Sequence, residues 1–352
     1  MGSGRPGARM RGQPTAGPDM IPASPAPPQP DWRIAWRQAL TDPVQLLERL
    51  QLAHRAAELL PAGDTGFPMR VPESYVRRMR PGDAADPLLR QVLPGAAELL
   101  ERPGFVADAV GDLAASRVPG VLHKYHGRVL LVATGACAVH CRYCFRRHFP
   151  YAEELAARER WHPALEYIAA DATVSEVILS GGDPLALATD RLAELTNGLA
   201  RIPHVRLLRI HSRLPIVLPE RVDEGLLAWL RRLPWPVAVV VHANHPNEID
   251  AQVTGALGAL RAAGATVLNQ SVLLAGVNDD AGVLAGLSRC LYAAGALPYY
   301  LHLLDRVRGT AHFEVPEAVA LELHARMRRQ LPGYLVPRLV REIPGEASKT
   351  PV

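Results

Sequence analysis

The chain has 352 residues, 48% of them hydrophobic, with a formal net charge of +4 and a pI near 9.0. That is enough apolar material for one large α/β barrel or two ordinary domains. No apolar run reaches the roughly 18 residues of a membrane span, the basic residues are scattered rather than gathered into a nucleic-acid stripe, and four cysteines, three of them clustered, do not make a disulfide framework.

Residues 1–30 are rich in Pro, Gly, Ala and Arg and lack the continuous apolar stretch of a secretory signal. They read as a disordered tail, with Met10 and Met20 as alternative starts. Residues 31–60 read as helix, because Trp32, Trp36, Leu40, Val44, Leu47 and Leu50 recur at three- and four-residue steps. Asp42-Pro43 looks like an N-cap followed by proline at the first helical position, which splits this stretch into two helices. Residues 71–101 continue as short helical pieces broken at Pro81-Gly82 and Pro94-Gly95, so 31–120 is expected to be an N-terminal helical region without a catalytic constellation.

From Lys124 the pattern changes. Short apolar, β-branched runs occur at 129–134, 176–180, 207–211, 237–242, 266–272 and 298–304. Amphipathic segments lie between them, among them 189–199, 223–232, 250–263 and 281–293. Strands alternating with helices predict a parallel sheet, and six units are fewer than the eight of a closed barrel. The expected architecture is therefore α/β, a partial (β/α)6 TIM-like barrel over 121–335, followed by a C-terminal segment at 336–352. The polar residues gather at the C-terminal ends of the runs, where such barrels place their chemistry.

The first run leads into Cys137-Ala-Val-His-Cys141-Arg-Tyr-Cys144. Thiolates are soft ligands suited to iron–sulfur clusters. Three on one loop can hold three irons of a four-iron cubane and leave the fourth iron open. The competing reading is a zinc knuckle with His140 or His148 as fourth ligand, although zinc sites usually pair their cysteines as CxxC. A purely structural set of buried thiols is weaker still. The fourth cysteine, Cys290, lies in a helix-like stretch and reads as buried packing, and the cysteine usage fits a reducing cytoplasm. The second run ends in Ser180-Gly181-Gly182-Asp183-Pro184, where two glycines would let the backbone approach a ligand closely. Of 39 basic residues only Lys124 and Lys349 are lysines, so any covalent lysine chemistry has two candidates.

The cysteine loop resembles that of radical S-adenosylmethionine (SAM) enzymes, whose open, partial barrel the six-unit pattern matches. With the Ser180 segment, His245-Pro-Asn-Glu248, Leu268-Asn-Gln-Ser271 and Lys349-Thr-Pro, the chain resembles the lysine 2,3-aminomutase family over about 31–352. Cys141-Arg-Tyr-Cys-Phe-Arg-Arg-His-Phe-Pro-Tyr151, His211-Ser-Arg-Leu-Pro-Ile216, Pro298-Tyr-Tyr-Leu-His302 and Tyr334-Leu-Val-Pro-Arg338 are most similar to the family's bacterial branch that makes (R)-β-lysine for elongation factor P. The resemblance implies a [4Fe-4S] cluster on Cys137, Cys141 and Cys144. It implies SAM contacts from Ser180, Gly181, Gly182, Asp183, His242 and Gln270. It implies pyridoxal 5′-phosphate (PLP) on Lys349 as an aldimine, with Lys124, Tyr125 and Arg128 around its phosphate and ring. Substrate lysine would meet Arg146 at its carboxylate and Asp305 and Glu342 at its ammonium. Many relatives carry Asp at the Glu342 position, so the longer side chain changes the geometry there. The implied partners are an electron donor of flavodoxin or ferredoxin type, and elongation factor P with its lysyl ligase. The alternatives are an aminomutase for another amino acid or one making free β-lysine for another pathway, an ordinary PLP enzyme with a structural metal, and a metal-stabilised binding module.

Overall fold

The computed structural model describes residues 1, 2, 4, 31–156 and 161–352. Apart from residues 1, 2 and 4, the expected tail at 1–30 lies outside the described residues. The N-terminal helices start where the sequence supplies caps. Asp31 accepts from the Arg33 amide at 2.9 Å ahead of α1 (Trp32–Arg37), and Asp42 accepts from the Val44 amide at 2.8 Å ahead of α2 (Pro43–Arg49). A 3-10 turn and α3 (Ala56–Leu59) follow, then α4 (Glu73–Val76) and 3-10 turns at Leu89–Gln91 and Ala96–Leu99. Leu46, Leu47, Tyr75, Leu88 and Leu89 from this layer share one buried core with the barrel.

The sheet has ten strands in chain order: β1 (Ser116–Val118), β2 (Val121–Tyr125), β3 (Arg128–Thr134), β4 (Glu176–Gly181), β5 (Leu207–Ser212), β6 (Val237–Val241), β7 (Thr266–Val272), β8 (Leu297–His302), β9 (Arg338–Arg341) and β10 (Thr350–Pro351). The six expected runs are β3 to β8, all parallel, and β9 adds a seventh parallel strand beside β8. Antiparallel β1 and β2 flank β3, and antiparallel β10 flanks β9. β1 and β10 stay at the two edges, so the barrel is open. The sheet runs across the boundaries expected at 120 and 335.

Each parallel crossover carries a helix, as the pairing of parallel neighbours requires. These are α5 (His162–Ala170), α6 (Thr189–Leu199), α7 (Leu214–Val217) with α8 (Glu224–Arg231), α9 (Ala251–Ala262), α10 (Ala281–Ala293) and α11 (Glu317–Gln330). Asp223, Asp250 and Asp280 cap α8, α9 and α10. Cys290, on α10, is half-buried rather than buried.

Side chains alternate across the strands. Val129, Leu131, Val177, Leu179, Leu208, Ile210, Val239 and Val241 pack with Leu192, Leu195, Leu226, Val253 and Leu257 of the surrounding helices. The intervening positions, Arg128, Leu130, Ile178, Ser180, Arg209, His211, Val240, Gln270, Tyr300 and His302, face a central cavity. Among the described residues no helix is long and apolar enough to cross a membrane.

Candidate active site

The cavity has a volume of about 560 Å³ and sits at the C-terminal ends of the parallel strands. It is closed on one side by Gly66, Phe67 and Pro68 of the N-terminal layer, and on another by Glu342, Ser348 and Lys349 beside β9 and β10. All the site residues expected from the sequence line it. That is a matter of placement; what each can do follows from its partners.

The cysteine loop is clamped by the N-terminal layer. The amides of His140 and Arg142 donate to the carbonyls of Arg70 and Gln91 at 2.9 and 2.8 Å. Arg142 and Arg147 converge on the buried Glu98, with Arg142 Nε 2.8 Å from Oε1 and Arg147 Nη2 2.7 Å from Oε2. Arg142 Nη1 also donates to the Phe67 carbonyl at 2.9 Å. The N-terminal region, expected to hold no catalytic group, thus fixes the cysteine loop. Burial pushes the Cys144 thiol up to about 11 and raises Cys137, so free thiolates are disfavoured here without compensating positive charge. The two histidines of the zinc reading point elsewhere. His140 Nδ1 lies 3.0 Å from the Pro68 carbonyl oxygen and His148 Nε2 lies 3.1 Å from that of Arg308. Among the described residues no three His, Cys, Asp or Glu side chains are gathered closely enough to hold a single metal ion. Cys137, Cys141 and Cys144 all line the cavity.

The turn after β4 packs against this loop. Gly181 has φ +112°, and a Cβ there would lie 2.7 Å from the Thr134 carbonyl oxygen; a Cβ on Gly182 would lie 2.5 Å from that of Ala136. The Gly182 and Asp183 amides donate to those same oxygens at 2.6 and 2.8 Å. The two glycines thus lie against the backbone of Thr134 and Ala136, where β3 leads into the cysteine loop. Both Asp183 oxygens are taken by protein donors: Ser212 Oγ at 2.7 Å, the Arg213 amide at 2.7 Å, and those of Leu185 and Leu214 at 3.0 and 3.1 Å. Burial pushes its carboxyl up to about 6 against these donors. Asp183 therefore ties β4 to β5. Ser180 Oγ accepts from Arg146 Nη1 at 3.2 Å, and the Tyr151 hydroxyl donates to the Gly181 carbonyl at 3.0 Å. His242 stacks on Tyr143, with Nε2 3.0 Å from its hydroxyl. Burial, reinforced by the Arg213 charge, drops its pKa to about 3 and keeps the ring neutral. The Gln270 side chain faces the cavity and has no hydrogen bond to other described residues.

The opposite end of the cavity is a run of alternating charges. Lys349 Nζ donates to Glu342 Oε2 at 2.7 Å, and the Tyr125 hydroxyl donates to Oε1 at 2.5 Å. Lys124 Nζ lies 3.6 Å from Glu342 Oε1 and 2.6 Å from Asp112 Oδ1, and Arg146 Nε lies 2.6 Å from Asp112 Oδ2. Burial would raise both carboxyls, but Lys349 at Glu342, and Arg146 and Lys124 at Asp112, outweigh it and hold both below their usual range. Arg128 stacks over the Tyr125 ring at 4.6 Å and has no ion pair among the described residues. Asp305 also has no side-chain hydrogen bond or ion pair among them, and burial pushes its carboxyl up to about 7, with Lys349 pulling the other way.

Over most of its length the chain is similar to known proteins. The chain is 48% identical over 329 residues to the L-lysine 2,3-aminomutase of Escherichia coli (strain K12), covering 93% of this chain and 95% of that one. It is 44% identical over 320 residues to the enzyme of that name from Haemophilus influenzae, covering 91% and 95%, and 36% identical over 323 residues to that of Clostridium subterminale, covering 92% and 77%. The chain belongs to the L-lysine 2,3-aminomutase family. No family model matches it. Among solved structures, a radical SAM methyltransferase from Sphaerobacter thermophilus has 17% identity and a TM-score of 0.43, covering 63% of this chain and 68% of its own, a likeness too slight to argue from.

Within this member of the family, several residues that hold the cavity wall together were not singled out from the sequence. Asp112 joins Lys124 to Arg146, Glu98 anchors the cysteine loop, and Gln91, Tyr143 and Glu248 surround Arg213 and His242. Tyr143 and Glu248 fall in segments quoted above, but no local motif marks Asp112, Glu98 or Gln91; the partners of Glu98 lie 44 and 49 residues away, and Gln91 meets Arg213 122 residues away.

Proposed function

We propose that this chain is a radical SAM, PLP-dependent lysine 2,3-aminomutase that converts L-α-lysine to β-lysine, in the (R) form used to modify elongation factor P. One observation carries the reading: three cysteine thiols and Lys349, some 200 residues apart in the sequence, line the same cavity. The donors fit the cofactors. Cys137, Cys141 and Cys144 would hold the cluster, and Gln270, His242 and the turn at Ser180-Gly181-Gly182 would border SAM. Lys349 would carry PLP, with Tyr125 at its ring. Arg128 is the first phosphate contact, because Lys124 is already paired with Asp112. When bound, the cluster and SAM would supply a radical and PLP would stabilise an unpaired electron next to nitrogen.

The chain's own residues position and desolvate. Arg146, braced by Asp112 and Ser180, presents a buried guanidinium to the substrate carboxylate. Asp305 and Glu342 offset desolvation of the distant ammonium. Two acids there argue against glutamate as substrate, since its own carboxylate would be repelled. The elongation factor P role rests on the resemblance of the segments at 141–151, 211–216, 298–302 and 334–338, and brings with it a low-potential electron donor and a cytoplasmic setting.

The test is anaerobic reconstitution with iron, sulfide, PLP, SAM and a reductant, then chiral analysis of products from a mixture of amino acids. (R)-β-lysine as the main product supports the proposal; another β-amino acid redirects it, and no SAM cleavage rejects it. Lys349→Ala should remove the visible absorbance of lysine-bound PLP while Lys124→Ala keeps it, and the reverse pattern would exchange their roles.

A further inference from the structure

Arg213 follows β5, where its amide donates to Asp183 at 2.7 Å. Its guanidinium is buried between the rings of Tyr75 and Tyr143, whose centres lie 5.5 and 5.7 Å from Cζ. Nη1 donates to Cys141 Sγ at 2.7 Å. Nη2 reaches Gln91 Oε1 at 2.6 Å, Glu248 Oε2 at 2.9 Å and the Tyr75 hydroxyl at 3.3 Å. Glu248 is held in turn by the amides of Asn244 and His245 at 2.8 and 3.1 Å and by Gln91 Nε2 at 3.2 Å. The guanidinium has no room to swing away. Among the described residues, Cys141 is the one of the three thiols that receives a side-chain hydrogen bond.

We infer that Arg213, opposed by Glu248, sets the reduction potential of the cluster held by Cys141; this rests on the reading of the three thiols as cluster ligands. The physical reason is charge. Adding one electron to a cluster adds one negative charge. A fixed cation that hydrogen-bonds a ligand sulfur stabilises the reduced state more than the oxidised one and raises the potential. Burial keeps the interaction from being screened. Glu248 is fully buried beside the same guanidinium and acts with the opposite sign. Arg213 is thus a positioning and tuning residue that acts through the sulfur.

Full-length wild type, Arg213→Gln, Arg213→Lys and Glu248→Gln are reconstituted anaerobically with iron and sulfide, assayed for both, and titrated with dithionite and mediators while the reduced cluster is followed by electron paramagnetic resonance, without SAM or lysine. Arg213→Gln should have a more negative midpoint at full iron load, Arg213→Lys an intermediate one, and Glu248→Gln a more positive one. Equal midpoints in fully loaded Arg213→Gln and Glu248→Gln overturn the inference. If Arg213→Gln takes up no iron, Glu248→Gln decides, and an unshifted midpoint there overturns it as well. A wild type that forms no cluster is a different result, and removes the cluster reading itself.

Discussion

Glu98 is the point at which the N-terminal layer grips the cysteine loop, and removing it should be among the costliest single changes in the protein. Its carboxylate meets two arginines, Arg142 and Arg147, whose side chains are 0% and 1% exposed beside a Glu98 side chain at 1%. Glu98→Ala leaves two buried guanidinium groups without their anion. Breaking a buried pair from one side costs about 3–5 kcal/mol, against a total stability of about 5–15 kcal/mol. That is roughly two to almost four powers of ten in the folding equilibrium. With a urea slope of about 3 kcal/mol/M, the unfolding midpoint should fall by at least about 1 M. The assay is urea unfolding of the iron-free protein followed by circular dichroism. Glu224→Ala serves as control, because Glu224 pairs with Arg231 at 2.6 Å on the surface, with side chains 75% and 48% exposed, and exposed pairs contribute little. The same variant should retain less iron after reconstitution, since Arg142 and Arg147 flank Cys144 in sequence. A midpoint shift no larger than the control's would refute the argument that this carboxylate holds the loop.

Asp305 makes a pH prediction. With its native carboxyl near 7 and an unfolded value of about 3.9, the folded chain binds the extra proton between those limits; stability from this group is present below about pH 4 and is lost as pH rises through 7. Only the ionised form attracts an ammonium, so kcat/KM for lysine should climb through pH 7 and then level, and Asp305→Asn should lose that limb; an unchanged profile in the variant removes Asp305 from the substrate site. Asp305→Ala and Glu342→Ala should each cut turnover on lysine far more than iron content, and full-rate variants would mean the acids are misassigned. Gly182→Ala should cost about 1–3 kcal/mol and lower iron uptake, because its Cβ would sit 2.5 Å from the Ala136 carbonyl oxygen. Gly258→Ala on exposed α9, with nothing within 4 Å of the new Cβ, should be neutral or gain about 0.5–1 kcal/mol in thermal or urea unfolding. Equal effects at the two glycines would show that the contact with the cysteine loop is not what the first one protects.

Legibility followed from how local each signal was. The runs that became β3 to β8 are apolar and β-branched, and α6, α8, α9 and α10 begin where their periodic patterns do, three of them at an aspartate cap. By contrast β9 has four residues and begins directly after Pro337, and β1 has three, too few to show a period, while α11 exposes Val319 and Leu321 beside its buried Ala320 and Leu323, which blurs its apolar face. The three thiols were legible because one loop holds them. Asp305 and Glu342 came with the resemblance, but Glu98 and Asp112 were not legible, because their ion pairs join separate segments, and 39 basic and 35 acidic residues offer no local clue to which will meet.

That distant pairing has a chemical consequence at the lysine end of the cavity. Arg146, Asp112, Lys124, Glu342 and Lys349 form a chain of alternating charges with contacts of 2.6, 2.6, 3.6 and 2.7 Å. Glu342 already holds Lys349, whereas Asp305 has no side-chain hydrogen bond or ion pair among the described residues. If these acids serve the substrate as proposed, an arriving ammonium would meet Asp305 first and gain Glu342 only as Lys349 lets go of it. A longer side chain at 342 suits a residue that must reach two amines in turn. On this argument Glu342→Asp should weaken the contact with Lys349 and with the substrate ammonium together, raising KM for lysine and lowering the yield of lysine-bound PLP in the same preparation. A rise in KM with PLP loading untouched would show that Glu342 serves the substrate alone.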